Sequence, residues 1–268
     1  MDVRLLGALE ATEGGSSLLP TAGKPRQVFG LLAVHPGQLV PVTALIEELW
    51  GDDPPRSAQS TLQTYVLHLR KLLGAALPGG TEAAKRVLAT RYNGYLLDVP
   101  AETVDALTFE RRSSRGRLAM EVGDWPQAAR ELSGALELWR GRALADVPIG
   151  SRLSVEVTRL EQSRLSVLED RIESDLALGR HQALLGELAA LTARHPLHER
   201  LCAQYMLALY RSGQQWRALE AFAVLRRVLV DELGVEPSPR LRELQRAVLD
   251  SSGELEGGRA PLLVAPAA

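Results

Sequence analysis

Polar side chains recur at helical spacing between residues 57 and 73, opposite an apolar stripe of Leu62, Val66, Leu69 and Leu73. Hydroxyl, amide and imidazole groups can hydrogen bond to the edges of DNA bases in the major groove, whereas Arg and Lys can bind phosphates or guanine. Short polar residues come first and basic ones last, an order that favours a recognition helix entering the groove by its N-terminal half. The face opposite the stripe consists of Ser60, Thr64, Leu67, His68 and Lys71, flanked by Gln63 and Arg70.

Basic charge is concentrated around this segment. Between residues 56 and 97 the chain has six basic side chains and one acidic side chain, Glu82, which gives a local balance of +5, whereas the net charge of the whole chain is −2. A basic face made by one helix and the hairpin after it is the electrostatic pattern of a DNA-binding surface. We predict base readout by Ser60, Gln63, Thr64 and His68, and phosphate contacts by Arg56, Tyr65, Arg70, Lys71, Thr90, Arg91 and Asn93.

A plainer interpretation of this helix is a solvated outer face, because polar outer faces are the rule on surface helices. For the helix alone, the two interpretations are equally well supported. The hairpin that follows favours DNA binding, since Thr90, Arg91 and Asn93 at its tip have the character of a wing that straddles the DNA backbone. The pair Asn93-Gly94 by itself would indicate only a turn.

The elements that hold this helix are predicted from the order of apolar and turn-forming residues. An alternating segment at 3–9 and the apolar pair at 18–19, separated by Gly and Ser residues, predict a small β-hairpin. Helical spacing predicts one helix over 24–34, a second helix that ends at Gly51, and the third over 57–73.

The segment after the third helix is predicted to form a second hairpin. Pro and Gly at 78–80 break the chain, and residues 87–97 predict two strands around Asn93-Gly94, a strong hairpin signal. The predicted order is therefore hairpin, three helices, hairpin.

These elements carry a specific resemblance. Residues 2–98 are similar to the OmpR-type winged helix of the Streptomyces antibiotic regulatory protein family. Pro41 departs from the family pattern, since it stands where members often have a helix-capping serine, although proline is tolerated in a first turn. The motifs that carry the resemblance are Gly23-Lys24-Pro25-Arg26, Leu49-Trp50-Gly51, Pro55, the run from Leu62 to Leu73, and Asn93-Gly94-Tyr95-Leu96-Leu97.

From residue 100 onward the pattern is wholly helical. Gly123, Gly179 and Gly213 are each predicted to end a helix. Each begins a similar short sequence motif, in which a new helix starts and soon contains alanine. The last two motifs start 34 residues apart, the tetratricopeptide period, and the first gap is 56 residues. Stacked helix pairs are expected, because repeats of this kind bury a continuous core only by stacking. A long helix over about 153–178 presents an apolar core stripe, and we expect Trp139 and Trp216 to be buried at repeat junctions.

This half resembles the bacterial transcriptional activation domain of the same regulators, up to about Leu249. The resemblance rests on four sequence motifs, which begin at Leu136, His195, Met206 and Glu232. The predicted fold class is mainly α: an N-terminal winged helix-turn-helix with small β-hairpins, followed by an all-α tetratricopeptide-like repeat domain. The predicted domains are the winged helix at 1–98, the activation domain at 99–250 and a disordered tail at 251–268. This organisation resembles the short, stand-alone form of the family.

Composition and motifs argue against other classes of protein. Hydrophobic residues make up 46% of the chain, but no apolar run approaches a membrane span, and Asp2 stands where a secretory signal would be basic. The single cysteine, Cys202, fits a reducing cytoplasm. No phosphate-binding loop, dinucleotide fingerprint or nucleophile elbow occurs, so we expect no enzyme and no cofactor. His195, His198 and Cys202 have metal-ligand spacing, yet a helix boundary and packing explain them as well.

The family resemblance implies a cytoplasmic, sequence-specific DNA-binding activator that is nucleoid-associated when bound to DNA. It also implies direct repeats in promoter DNA, two copies side by side on those repeats, contacts to the sigma and alpha subunits of RNA polymerase, and control of a secondary-metabolite (antibiotic) gene cluster. Two other interpretations of the sequence are possible. One is a helical-repeat adaptor whose winged helix makes only protein contacts. The other is a small-molecule hydrolase, which no motif supports.

Overall fold

A computed structural model describes residues 1–252 and residue 255. The chain forms two compact units. Unit 1 comprises Met1–Ser114 and Gly134–Leu165, and unit 2 comprises Arg115–Ser133 and the described residues from Ser166 onward. The winged-helix segment therefore shares its compact unit with residues from later in the chain, while the predicted division at residue 98 stays a prediction.

Unit 1 begins with a small antiparallel sheet. Its strands are β1 (Asp2–Arg4), β2 (Glu10–Glu13) and β3 (Ser16–Ser17), in the order β1-β2-β3. The predicted hairpin over 3–9 and 18–19 is wrong in detail, because the chain leaves the sheet after Arg4. The backbone N–H groups of Leu5 and Leu6 donate instead to the carboxylate of Asp105, at 2.7 and 3.1 Å.

Helices and a second sheet complete the winged-helix segment. The order of the first sheet, three helices and a hairpin is as predicted, but an additional helix of eight residues precedes the hairpin. The sequence predicts only a chain break here, whereas Gly79, with φ of 97°, immediately precedes the first residue of the helix. The second sheet is antiparallel with strand order β4-β6-β5. The elements are α1 (Gly23–Ala33), β4 (Val40–Pro41), α2 (Val42–Trp50), α3 (Ala58–Ala76), α4 (Gly80–Val87), β5 (Leu88–Arg91) and β6 (Gly94–Leu97).

The turn between β5 and β6 lies one residue earlier than predicted. Arg91 pairs with Gly94, so Tyr92 and Asn93 form the turn. Gly94 is required by close packing rather than by the turn, since a Cβ atom there would lie 2.5 Å from the carbonyl oxygen of Val40 on β4. We call β5, β6 and this turn the wing.

A buried carboxylate on α2 contacts the start of a later helix of unit 1. Glu48 is buried, and its carboxylate accepts hydrogen bonds from the backbone N–H groups of Gly150, Arg152 and Leu153 at 2.7 to 3.0 Å. A carboxylate at this place satisfies N–H groups that the start of a helix leaves without a partner. The helices of this part of the chain are α5 (Asp105–Glu121), α6 (Trp125–Leu136) and α7 (Ser151–Ala177). Each crosses the division between the units, so the end of α5, most of α6 and the part of α7 from Ser166 belong to unit 2. The predicted long helix is confirmed by α7.

Unit 2 consists of helices that pack against their neighbours in sequence. After the C-terminal part of α7 come α8 (His181–Arg194), α9 (Glu199–Arg211), α10 (Gln215–Leu233) and α11 (Pro239–Leu249). α9 packs against α8, α10 and α11, which is the stacked arrangement expected of paired helical repeats.

The two tryptophans singled out in the sequence differ in burial. Trp139, in unit 1, is buried and packs edge to face on Phe109, with ring centroids 5.5 Å apart. Trp216, in unit 2, is 69% exposed at the start of α10, so the prediction of a buried Trp216 is wrong. The helix begins at Gln215, and its buried side chains follow one face that starts at Ala218.

Within the part of the chain that the structure describes, no helix is long and apolar enough to cross a membrane. The predicted disordered tail, 251–268, lies outside the described residues except for positions 251, 252 and 255.

Candidate nucleic-acid interface

The four predicted base-reading side chains lie together on α3. Ser60, Gln63, Thr64 and His68 are all exposed, on the side of the helix opposite its buried stripe. Among the described residues, the side chains of Gln63 and His68 have no hydrogen-bond partner. The face therefore carries polar groups that are available to a ligand.

The hydroxyl groups on this face are bound to their own helix. Ser60 Oγ donates to the carbonyl oxygen of Ser57 at 2.9 Å, and Thr64 Oγ1 donates to that of Ser60 at 3.0 Å. Because each hydroxyl hydrogen is used in this way, the oxygen is left mainly as an acceptor. In the major groove the matching donors are the exocyclic amino groups of adenine and cytosine.

Basic side chains border the same face. Arg56, Lys71 and Arg91 are exposed, and no carboxylate in the described part of the chain lies within salt-bridge distance of them. The nearby acidic residue Glu82 is paired with Lys85 at 2.8 Å, and this hydrogen bond lowers the pKa of the Glu82 carboxyl. The positive charge beside α3 is thus not cancelled by the protein itself.

Arg70 has a different environment from the other basic residues of this region. Its Nε and Nη2 atoms donate to the carbonyl oxygen of Leu88 at 2.9 and 2.7 Å, and Nη2 also donates to Thr90 Oγ1 at 2.8 Å. Partial burial lowers the pKa of the Arg70 guanidinium. Arg70 therefore connects α3 to the first strand of the wing, so its geometry is that of a positioning residue, while its phosphate contact stays a prediction.

The wing presents the remaining predicted residues. Thr90, Arg91 and Asn93 are exposed on it, whereas Tyr65 on α3 is partly buried. We call the outward face of α3 together with the wing the reading surface.

Tyr92 at the tip of the wing was missed by sequence reasoning. Its side chain is 98% exposed, and its φ of 44° lies in the left-handed region that a bulky residue rarely adopts. Such a conformation costs free energy and is concentrated at functional sites. The signal in the sequence was an aromatic residue beside Asn93-Gly94, but the predicted turn included Gly94 and left Tyr92 in a strand.

The sequence matches two known domain families. Residues 17–97 match the C-terminal domain of transcriptional regulatory proteins, and residues 104–249 match the bacterial transcriptional activator domain. The chain is 55% identical over 250 residues to the regulatory protein DnrI of Streptomyces peucetius, with 93% of this chain and 92% of that protein covered. The chain belongs to the Streptomyces antibiotic regulatory protein family. It is thus a transcriptional activator and not an enzyme.

Sequence identity to other regulators and the fold of a solved structure support this family membership. The chain is 39% identical to the regulatory protein AfsR of Streptomyces coelicolor over 94% of its own length and 24% of that protein. Its fold matches Mycobacterium tuberculosis EmbR, solved in complex with a low affinity phosphopeptide, with a TM-score of 0.87, 36% identity, and coverage of 93% of this chain and 65% of that one. The predicted fold class, a winged helix followed by a helical repeat, is confirmed.

The alternative metal site in this regulator finds no support in the geometry. Burial raises the pKa of the Cys202 thiol to about 12, which disfavours the thiolate that would bind a metal. His198 Nε2 lies 2.9 Å from the Glu169 carboxylate, and this contact raises the pKa of His198. The described residues contain no group of His, Cys, Asp and Glu suited to hold a metal ion.

Proposed function

We propose that this activator binds promoter DNA in a sequence-specific manner through the reading surface. The observation that carries the proposal is the exposed polar face of α3 bordered by cations that have no carboxylate partner. In this arrangement α3 enters the major groove and the wing lies against the adjacent backbone. Arg70 holds the wing in place for that contact through Leu88 and Thr90.

Two kinds of contact divide the work on this surface. Side chains in the middle of the face, Ser60, Gln63, Thr64 and His68, read base edges, which gives sequence preference. The side chains around them contact phosphates, which gives affinity for any sequence and a strong dependence on salt. The residues to which phosphate contacts are assigned are Arg56, Tyr65, Arg70, Lys71, Thr90, Arg91 and Asn93, with Tyr92 added at the wing tip.

The activating role is assigned to residues 99–250, with DNA binding assigned to residues 1–98. In the cytoplasm, two copies bind side by side on direct repeats in promoter DNA. The bound copies recruit RNA polymerase through its sigma and alpha subunits. Support comes from the activator-domain match over residues 104–249 and from relatives that are named as regulatory proteins. Membership in an antibiotic regulatory family supports a secondary-metabolite gene cluster as the target.

Operator spacing tests this arrangement. In a head-to-tail pair, one surface of the first copy contacts a different surface of the second copy. These surfaces can meet only if both copies lie on the same face of the duplex. B-DNA turns once in about 10 to 10.5 base pairs, so an insertion of about five base pairs between the repeats rotates one copy to the opposite side. We expect this insertion to abolish cooperative binding in gel-shift titrations and activation in transcription with purified polymerase.

A full-turn insertion is the control, since it restores the face and only lengthens the distance. Unchanged cooperativity after the half-turn insertion would contradict the side-by-side pair. Full activation by a promoter to which the protein does not bind would contradict recruitment from DNA.

A further inference from the structure

Leu67 is an apolar side chain in the middle of a polar surface. It is 54% exposed, whereas the leucines on the other side of α3, Leu62, Leu69 and Leu73, are at most 1% exposed. Thr64 precedes it by three residues and therefore lies beside it on the outward face of the helix. The exposed leucine thus stands among the side chains to which base readout is assigned.

Packing within the fold covers less than half of the Leu67 side chain, which is 54% exposed. An exposed leucine gains little from the hydrophobic effect, which is proportional to the apolar area removed from water. Alanine is at least as good a helix former at an exposed position. Replacing Leu67 should therefore leave the stability of unit 1 unchanged, and the side chain is available for a contact in a complex.

The chemistry of the major groove limits what Leu67 can contact. Base edges there carry hydrogen-bond donors and acceptors, and the one methyl group among them is the C5-methyl of thymine. A leucine placed against a donor or acceptor would remove its water without replacing the hydrogen bond, which is unfavourable. Against a thymine methyl it buries apolar area on both sides.

The neighbours of Leu67 favour DNA over a protein partner as the occupant of this face. Lys71, four residues later, has no carboxylate within salt-bridge distance among the described residues, and the hydroxyls of Ser60 and Thr64 are bound to helix carbonyls. An exposed leucine beside a lysine without a carboxylate partner fits a methyl group beside a phosphate backbone.

We propose that Leu67 is a specificity-determining residue that selects thymine at one position of each half-site by contact with its C5-methyl group. This inference rests on the proposed insertion of α3 into the major groove. It adds to that proposal the identity of one base and the atom by which the base is read.

Deoxyuridine substitution isolates the methyl group. Selection from a random duplex library with the full chain first defines the preferred sequence. Each thymine of that sequence is then replaced in turn by deoxyuridine, which keeps the base pair and removes only the methyl. The dissociation constant of each duplex is measured for the native chain, for Leu67→Ala and for Leu118→Ala, a control at a leucine that is 60% exposed on α5.

For the native chain and for Leu118→Ala we expect one thymine per half-site at which deoxyuridine weakens binding by about fourfold, the value for burial of one methyl-sized group. For Leu67→Ala we expect little change at that position, and unchanged thermal unfolding. An equal loss in Leu67→Ala and the native chain would overturn the inference, as would a native chain that is insensitive at every thymine. Failure of the native chain to select any sequence would instead contradict the proposed DNA binding.

Discussion

The basic residues of the reading surface and those of unit 2 differ in their surroundings. Lys71 and Arg91 are exposed and have no carboxylate within salt-bridge distance in the described part of the chain. In unit 2, Arg200 on α9 contacts three carboxylates of α7, those of Glu169, Asp170 and Glu173, at 2.8 to 3.0 Å. The basic residues of the reading surface are therefore available to a ligand, whereas Arg200 stabilises the packing of α9 against α7.

This difference shows why a count of basic residues is a poor guide to a nucleic-acid surface. Burial raises the pKa of Glu173, although the guanidinium of Arg200 opposes that shift. Arg117 also donates to Asp170 at 2.9 Å, so the carboxylate of Asp170 is shared by two cations. Charges arranged in this way position helices, whereas cations without partners release counterions when they bind DNA.

The largest effect is expected from breaking the unit 2 network. Arg200→Ala removes a cation that hydrogen bonds to three carboxylates of α7, of which Asp170 keeps its contact with Arg117 and Glu169 its contact with His198. Loss of one partner from such a partly buried charge network is destabilising. Because about a third of the Arg200 side chain is exposed, we expect a loss of about 2 to 4 kcal/mol in the free energy of unfolding, less than for a fully buried pair. Denaturant unfolding of the full chain measures it.

Arg226→Ala is the matched control. Arg226 is bound to Glu236 by two hydrogen bonds of 2.6 Å, but both side chains are about half exposed. We expect little or no loss in the free energy of unfolding, because exposed ion pairs contribute little. Equal losses for Arg200→Ala and Arg226→Ala would remove the distinction between structural and available charges.

A smaller effect, with opposite signs for stability and binding, is expected at the wing tip. Tyr92→Gly removes a side chain that is strained at positive φ, so we expect a gain of about 0.5 to 1 kcal/mol in stability together with several-fold weaker DNA binding. Tyr92→Phe keeps the ring and the strain, and it should leave stability unchanged. Thermal unfolding and gel-shift titration of the same samples test both signs. Destabilisation by glycine would show that the native turn needs the tyrosine.

The sequence predicted the elements that carry strong periodicity. The apolar stripe of α3 and the long helix α7 were found because their burial follows helical spacing over many residues. The short helix α4 was missed, since only Ala83 and Ala84 are buried on it. The exposure of Trp216 could not be read from the sequence because it depends on where α10 begins.

The candidate site shows the same limit. The exposed positions of Thr64 and His68 follow from the stripe on the opposite side of the helix, so they could be predicted. The contacts of Arg70 with Leu88 and Thr90 depend on how β5 packs beside α3, and spacing along the chain contains no information about that. The strain at Tyr92 likewise depends on the register of the wing.

Salt-dependent binding to a selected duplex and to a scrambled duplex tests the central claim most directly, namely that α3 reads bases while the wing contacts phosphates. Thr64→Ala and His68→Ala should weaken binding to the selected duplex by about 1 to 3 kcal/mol each and change the scrambled duplex little. Arg91→Ala should weaken both duplexes alike and reduce the salt slope by about one unit. An equal loss on both duplexes for all three variants would contradict base readout by α3.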